Sequence, residues 1–304
     1  MTKKLSIDYT QFNKILKADV VRVYDLVNFF KKDEIDYDEH GNIFIGFKQE
    51  TEGLPILVAH TDNVLGEDKE PVFDLGCRYI KGVHNGIGFD DKAGIMAIIT
   101  LWQYFKEQKF RIIFPADEET GGNGTEAMED DWFLDAKWIL ELDRKGDKDF
   151  IQVSGGTRLC SDEFAQKFID MGFKRAEGTF TDVNVMKPRA NWVNMANLSI
   201  GYYNPHTDNE YLDTVAFEKI VNKVKEFIEH DYDFEDDKPD PVRDTTKFDW
   251  NNLGRGTGFG GHRCDNCGGD CGSSMIYNQY GERFCCKECM DNYRDEWDDF
   301  YGGK

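Results

Sequence analysis

The chain has 304 residues, of which 40% are hydrophobic and 14% aromatic, enough for a substantial core in one large or two modest domains. Its formal net charge of −21 disfavours nucleic acid as the main partner, and it also disfavours anionic membrane surfaces. The N-terminal stretch lacks the apolar core of a signal peptide, and no apolar run approaches the ~18 residues of a membrane span. We therefore expect a cytoplasmic protein.

Strands and helices are predicted to alternate along the first three quarters of the chain. Hydrophobic periodicity predicts helices at 18–32, 91–108, 124–136, 161–172 and 212–230, strands at 42–48, 54–60, 110–117, 137–143 and within 191–203, and a hairpin formed by VFDL and RYIKGV. This alternation predicts an α/β fold with a mostly parallel or mixed central sheet flanked by helices. Ligand sites in such sheets lie at the carboxyl ends of the strands.

The composition changes after His230. Residues 231–262 are acidic and rich in Pro and Gly, which predicts a partly ordered linker. Residues 263–304 hold six of the eight cysteines, whereas Cys77 and Cys160 stand alone. We therefore expect three parts: an α/β domain at 1–230, a linker at 231–262 and a small module at 263–304, called the cysteine module below.

The cysteine module has the spacing of a structural zinc site. Two closely spaced groups, CDNC and FCCKEC, are typical of four thiolate ligands around one zinc ion. The second group resembles treble-clef knuckles, and this resemblance implies a four-ligand set: Cys264, Cys267, Cys285 and Cys289. Cys286 is an alternative to Cys285, and Cys271 to Cys267. A disulfide cluster is the other interpretation, disfavoured in a reducing compartment. A module this small would fold only with its metal, and would serve substrate capture, docking of a protein partner or stabilisation.

Metal-binding side chains recur just past the predicted strands or in loops. They form five groups: His60 with Asp62, Asp90 with Asp91, Glu118 with Glu119, Asp143, and His206. Each group alone has an ordinary interpretation, such as a helix N-cap, an acidic loop or a turn. Five such groups at successive strand ends are hard to place by chance. Carboxylate and imidazole ligands suit zinc, manganese or cobalt.

The order H-x-D, D-D-K-x-G, E-E, D and H resembles that of the co-catalytic di-zinc exopeptidases. This superfamily includes peptidase T, its aminoacylase relatives and the single-domain zinc aminopeptidases. The segments DDKAG and DEETGG are most similar to peptidase T, and the resemblance covers about residues 20–230. It implies the zinc-exopeptidase fold, two catalytic zinc ions (or cobalt or manganese) and hydrolysis of a peptide or an acylated amino acid.

The resemblance also implies a role for each residue. It assigns five metal ligands: His60 and Asp143 on the first ion, Glu119 and His206 on the second, and Asp90 bridging both. Asp62 would orient His60 and fix its tautomer. Glu118 would be the general base, taking a proton from a metal-bridging water and returning it to the leaving amine. The bond between Asp90 and Asp91 would be a cis peptide.

One departure from peptidase T affects the expected substrate. Peptidase T and many aminoacylase relatives insert a lid domain between the last Asp and His ligands, whereas only 62 residues separate Asp143 from His206. We therefore expect no lid, and an aminopeptidase acting on short peptides. The alternatives are an N-acyl amino acid amidohydrolase or dipeptidase, and an inactive binding protein acting through the cysteine module. Asp182, in TFTDVN, is either a contact for the substrate amine or an ordinary turn residue.

Overall fold

The computed structural model describes residues 4–65, 71–73, 78–83, 85–236, 276–277 and 283–284. The chain divides into two compact units, Met1–Arg243 and Asp244–Lys304. In the second unit the described part is an antiparallel pair in which Ile276 faces Phe284. All six cysteines of the cysteine module lie outside the described residues. The predicted zinc ligands and domain boundaries therefore stay predictions.

The described elements are numbered in chain order. The strands are β1 Ile35–Tyr37, β2 Ile43–Ile45, β3 Ile56–Val58, β4 Pro71–Phe73, β5 Tyr79–Gly82, β6 Arg111–Phe114, β7 Ile139–Arg144, β8 Asp149–Ser154, β9 Thr157–Arg158, β10 Lys174–Gly178, β11 Met195–Ser199, β12 Tyr202–Tyr203, β13 Tyr211–Asp213, β14 Ile276–Tyr277 and β15 Arg283–Phe284. The α-helices are α1 Asn13–Lys17, α2 Val23–Leu26, α3 Phe89–Tyr104, α4 Asn123–Ala127, α5 Asp162–Asp170, α6 Asp182–Met186 and α7 Thr214–His230. Short 3-10 turns lie at Tyr9–Phe12, Lys32–Glu34, Gln49–Thr51 and Asp130–Trp132.

A mixed sheet of nine strands forms the centre of the first unit. Its order is β1-β2-β6-β3-β7-β11-β8-β10, with β9 beside β8. The four middle strands, β6, β3, β7 and β11, are parallel to one another. Strands β8 and β10 are also parallel to each other. The pairs β1-β2, β2-β6 and β11-β8 are antiparallel. The predicted fold class, an α/β sheet of mostly parallel or mixed strands flanked by helices, is confirmed.

Both faces of the central sheet are covered by apolar side chains. Along β3, Leu57 packs into one hydrophobic cluster, and its neighbours Ile56 and Val58 pack into the other. The first cluster includes α3, α5 and α7, and the second includes side chains of α6. A strand buried on both faces reads as a continuous apolar run, which explains why these strands were predictable from hydrophobicity.

The structure differs from the sequence prediction at several helices and strands. The predicted helix at 18–32 is reduced to α2, because Val21 N–H donates to Thr61 O and ties this segment to the end of β3. The predicted helix at 124–136 is divided into α4 and a 3-10 turn. Among the described elements of the first unit, strands β1, β8, β9, β10 and β13 and helices α1 and α6 were not predicted. Strand β10 gives no apolar signal, because it reads KRAEG and its residues are exposed or half-buried.

A smaller four-stranded sheet, β12-β13-β5-β4, carries the predicted hairpin. In this hairpin, β4 and β5 pair antiparallel with Val72 opposite Lys81. Strand β13 pairs with β5 and leads directly into α7, whose N-cap Asp213 accepts the N–H of Val215 at 3.0 Å. The loop between β12 and β13 contains His206. This sheet therefore positions the last predicted metal ligand.

Among the described residues, no helix is both long and apolar enough to cross a membrane. The cytoplasmic location stays a prediction.

Candidate metal centre

The predicted metal ligands meet at the carboxyl edge of the central sheet. His60 follows β3, Glu119 follows β6, and Asp143 lies at the end of β7. These three strands are adjacent and parallel, so their carboxyl ends open at the same edge. Asp90, in the first turn of α3, and His206, in the β12–β13 loop, complete the cluster from the side.

Asp90 lies between the two histidines. One of its carboxylate oxygens is 3.1 Å from His60 Nε2, and the other is 3.2 Å from His206 Nε2. His60 Nε2 is also 3.6 Å from Asp143 Oδ1, and His206 Nε2 is 2.8 Å from Glu119 Oε1. Both imidazoles therefore contact Asp90. In addition, His60 lies near Asp143 and His206 lies near Glu119, so the site consists of two ligand groups that share Asp90.

The donor set fits divalent cations. Ligand atoms of His60, Asp90 and Glu119 all lie within 4.8 Å of one another and can hold a metal ion. His60 is only 1% exposed, so its Nε2 faces the carboxylates and not bulk water. Two imidazoles and several carboxylates are the ligands that zinc, manganese and cobalt accept. Burying this much negative charge without cations is unfavourable, which supports occupancy of the site by metal.

Asp62 connects the first histidine to the turn after β6. Its Oδ1 is 3.4 Å from His60 Nδ1, and its two oxygens accept the N–H groups of Glu118 and Glu119, each at 3.1 Å. A carboxylate facing Nδ1 favours the tautomer that leaves Nε2 free to bind metal. Asp62 therefore positions both an imidazole and the pair of glutamates.

The Glu118 carboxyl has the properties of a general base. Burial raises its pKa to about 7, and the negative charges of Glu119, Asp90 and Asp62 add to this effect, against the opposing influence of His60. A carboxyl that titrates near neutral pH can both accept and release a proton during turnover. This raised pKa fits the role of general base that the sequence resemblance implies for Glu118.

The pKa values of the neighbouring carboxylates and of His206 are also shifted. Burial and the charge of Asp90 raise the pKa values of Asp143 and Glu119. Burial acts the same way on Asp90, but contacts with His206 and His60 overcome it and lower its pKa. The hydrogen bond to Asp90 raises the pKa of His206 to about 9.

The DDKAG segment shapes the approach of α3 to the site. The Asp90–Asp91 peptide bond is cis, in agreement with the sequence resemblance. Asp91 is fully buried, and its Oδ1 accepts the N–H of Gly94 at 2.9 Å, so it caps the helix. A Cβ at Gly94 would lie 2.4 Å from the carbonyl oxygen of Leu142. Glycine here lets α3 pack directly on the strand that carries Asp143.

Sequence reasoning missed the polar residues that hold Asp143. Tyr202 donates its hydroxyl to the backbone oxygen of Asp143 at 3.0 Å and approaches Oδ1 at 3.3 Å. Asn197 accepts the Asp143 N–H at 3.1 Å. The available signal was the amide Asn197 within the mostly apolar strand MANLS, since a buried polar group requires partners.

Of the two interpretations of Asp182, a substrate contact or a structural residue, the structure supports the second. It is 0% exposed, its Oδ1 accepts the Thr125 hydroxyl at 2.5 Å, and its N–H donates to Glu141 Oε1 at 3.2 Å. A side chain closed off in this way does not face a substrate amine. Asp182 instead links the start of α6 to α4 and β7.

The fold is similar to that of solved peptidase structures. A tripeptidase from Staphylococcus aureus has a TM-score of 0.59 at 13% identity, covering 73% of this chain and 96% of its own. An aminopeptidase from the archaeon Desulfurococcus kamchatkensis has a TM-score of 0.58 at 14% identity, with 73% and 95% covered. The TET1 peptidase of Pyrococcus horikoshii has a TM-score of 0.56 at 14% identity, with 72% and 98% covered.

At identities this low the likeness establishes a shared fold, and it agrees with the peptidase fold that the sequence resemblance implied. No protein-family model matches the chain, and no curated protein matches its sequence.

Proposed function

We propose that this chain is a di-zinc metallohydrolase, and specifically an aminopeptidase that removes N-terminal residues from short peptides. The observation that carries this proposal is the position of Asp90, whose two oxygens each face one histidine. That arrangement is the one expected of a carboxylate shared by two ions. Zinc is the metal that the ligand set and the resemblance favour, with cobalt and manganese as alternatives.

The proposed ligand roles follow the contacts. The set is His60 and Asp143 for one ion, Glu119 and His206 for the other, and Asp90 for both. When bound, two divalent cations polarise the scissile carbonyl and make water more acidic. Glu118 accepts the proton of the attacking water and delivers it to the leaving amine. Asp62 keeps His60 in the required tautomer and holds the turn that carries Glu118.

The segment between the last two ligands supports an aminopeptidase over an N-acyl hydrolase. Residues 144–205 are all described, and they form strands and helices of the α/β unit, including β8 through β12. They leave no room for an inserted lid domain that could grip a distant carboxylate. The acidic site also attracts a protonated α-amine. The similar folds of a tripeptidase and an aminopeptidase agree with this substrate class.

Two other hypotheses were raised by the sequence. N-acyl amino acid amidohydrolase or dipeptidase activity uses the same centre, so only the substrate distinguishes it. A catalytically inactive binding protein would need neither Glu118 nor both halves of the ligand cluster, and both are retained here. For the cysteine module we propose one structural zinc held by Cys264, Cys267, Cys285 and Cys289, and a role in docking a protein partner, supported by the cysteine spacing.

The experiment compares free and blocked peptides. Zinc-loaded protein is incubated with tripeptides and aminoacyl anilides, and with the same compounds acetylated at the amine. We expect release of the N-terminal residue from the free forms only, and loss of activity in Glu118→Gln. Preferential cleavage of the acetylated forms would favour the N-acyl hydrolase, and no cleavage of either set would favour the binding protein.

A further inference from the structure

Glu210 is a buried carboxylate that sequence reasoning did not select. It lies four residues after His206, in the same loop, and is 0% exposed. Its Oε2 accepts the N–H of Gly88 at 2.6 Å, and its Oε1 accepts the N–H of Asp90 at 3.3 Å. Two backbone N–H groups, those of Gly88 and Asp90, therefore donate to Glu210.

Glu210 accepts N–H groups that, at most helix starts, are accepted by a side chain close in sequence. The first N–H groups of a helix have no partner within the helix, and a nearby side chain usually accepts them. At α3, the Asp91 side chain accepts the N–H of Gly94, but the N–H groups of Gly88 and Asp90 lie ahead of this cap, because Asp90 and Asp91 have non-helical backbone angles. The left-handed φ of 76° at Gly88 lets its N–H and that of Asp90 converge on one anion site. Here that site is occupied by Glu210, whose own charge is otherwise costly to bury.

The loop of Glu210 also packs closely against the same segment. A Cβ at Gly86 would lie 2.5 Å from the Thr207 carbonyl oxygen and 3.2 Å from Glu210 Cβ. The loop segment from His206 to Glu210 is therefore in direct contact with the residues that precede Asp90. Within this contact, His206 Nε2 is 3.2 Å from Asp90 Oδ2.

We propose that Glu210 is a positioning residue that sets the distance between Asp90 and His206, and so the spacing of the second metal ion from the shared carboxylate. Its oxygens are engaged by backbone N–H groups, so it acts through Asp90 and is not itself a ligand. This proposal rests on the proposed di-metal function. It explains why a carboxylate is buried beside a cluster that is already rich in negative charge.

The test measures metal affinity in Glu210→Gln against Glu163→Gln. Glu163 is exposed on α5, so the control carries the same chemical change away from the site. Zinc affinity of the folded protein is measured by competition with a chelator, without any peptide. We expect the weaker site of Glu210→Gln to lose about 10- to 100-fold in affinity, the range for residues that orient metal ligands. Glu163→Gln should match the wild type.

A purely structural role gives a different result. It would lower the melting temperature of Glu210→Gln while leaving zinc affinity of the folded protein within about twofold of the wild type. That outcome would overturn the proposal. If Glu210→Gln does not fold, Glu210→Asp is measured instead, since it keeps the charge but has a shorter side chain. Unchanged zinc affinity in Glu210→Asp would also overturn the proposal.

The same measurements separate this proposal from the proposed function. Wild-type protein that binds two ions but hydrolyses no peptide would refute the peptidase and leave the role of Glu210 standing. Active wild-type protein with unchanged zinc affinity in the variant would refute the role of Glu210 alone. In an active enzyme, kcat should fall in Glu210→Gln with little change in KM.

Discussion

The carboxylate of Asp62 accepts the backbone N–H of Glu118 at 3.1 Å, so the residue that orients the first histidine also holds the proposed general base. The second oxygen of Asp62 does the same for Glu119. One side chain thus couples the tautomer of His60 to the position of the turn after β6. Loss of Asp62 should therefore affect metal binding and proton transfer together.

This coupling can be measured with Asp62→Asn. The amide keeps one acceptor oxygen but removes the charge facing His60, so zinc affinity should fall by about 10- to 100-fold. Asp117→Asn is the matched control, because Asp117 lies exposed in the same turn. Its φ of 58° is one that asparagine also tolerates. Chelator competition measures the affinity, and equal affinities in the two variants would contradict the role of Asp62.

Adjacent glutamates allow the base to be separated from the ligand. Glu118→Gln should retain wild-type metal content while kcat falls by roughly 10²- to 10⁴-fold, because the proton carrier is lost but size is kept. Glu119→Gln should lose or weaken one ion, since a neutral amide is a poor zinc ligand. Metal analysis and steady-state kinetics on both variants distinguish the roles. Metal loss in Glu118→Gln but not in Glu119→Gln would show that the two roles are exchanged.

Metal content should differ between the whole chain and a shortened one. We expect about three zinc ions in the whole chain and about two in a chain ending at Asp236. This end point keeps the hydrogen bond from Asn194 Nδ2 to the Glu235 carbonyl at 2.8 Å and the packing of Phe234 on Phe164. In the whole chain, Cys264→Ser should remove one ion. A shortened chain that folds but holds no metal would contradict the catalytic pair of sites.

Stability of the metal-free protein should fall as the pH rises. Burial raises the pKa of Glu118 from 4.5 to about 7, and contact with Asp90 raises that of His206 from 6.5 to about 9. The folded state then binds more protons than the unfolded state between about pH 5 and about pH 8, so the free energy of unfolding decreases across this range. Burial acts in the same direction on Glu119. The lowered pKa of Asp90 affects only more acidic conditions.

Thermal unfolding in excess chelator measures this dependence. The melting temperature should decrease steadily from pH 5 to pH 8, and the decrease should be shallower in Glu118→Gln, which lacks one of the titrations. Added zinc should reverse the trend, since deprotonated ligands bind metal more tightly. A melting temperature of the metal-free protein that rises with pH would refute the interpretation of the cluster.

The sequence alone determined the fold class and the chemical type of the site. Strands such as β3 and β6 are buried on both faces, so their hydrophobic runs stand out, and a carboxylate or histidine directly after such a run must lie at the sheet edge. This logic applies to His60, Glu119 and Asp143, whereas the family resemblance was needed to join Asp90 and His206 to them. The polar strand β10 escaped prediction because exposure removes the apolar signal.

Only the tertiary structure decided which residues hold the predicted ligands in place. Glu210 meets the N–H of Gly88 across 122 positions of sequence, and Tyr202 reaches the backbone of Asp143 across 59. No local pattern encodes such contacts, because they depend on how a loop packs against a distant helix start. Asp182 shows the same limit: its sequence context allowed a contact with substrate, and its complete burial against Thr125 gives it a structural role instead. The residue types of the predicted ligands can be read from the local sequence, whereas their positions depend on contacts between residues far apart in the chain.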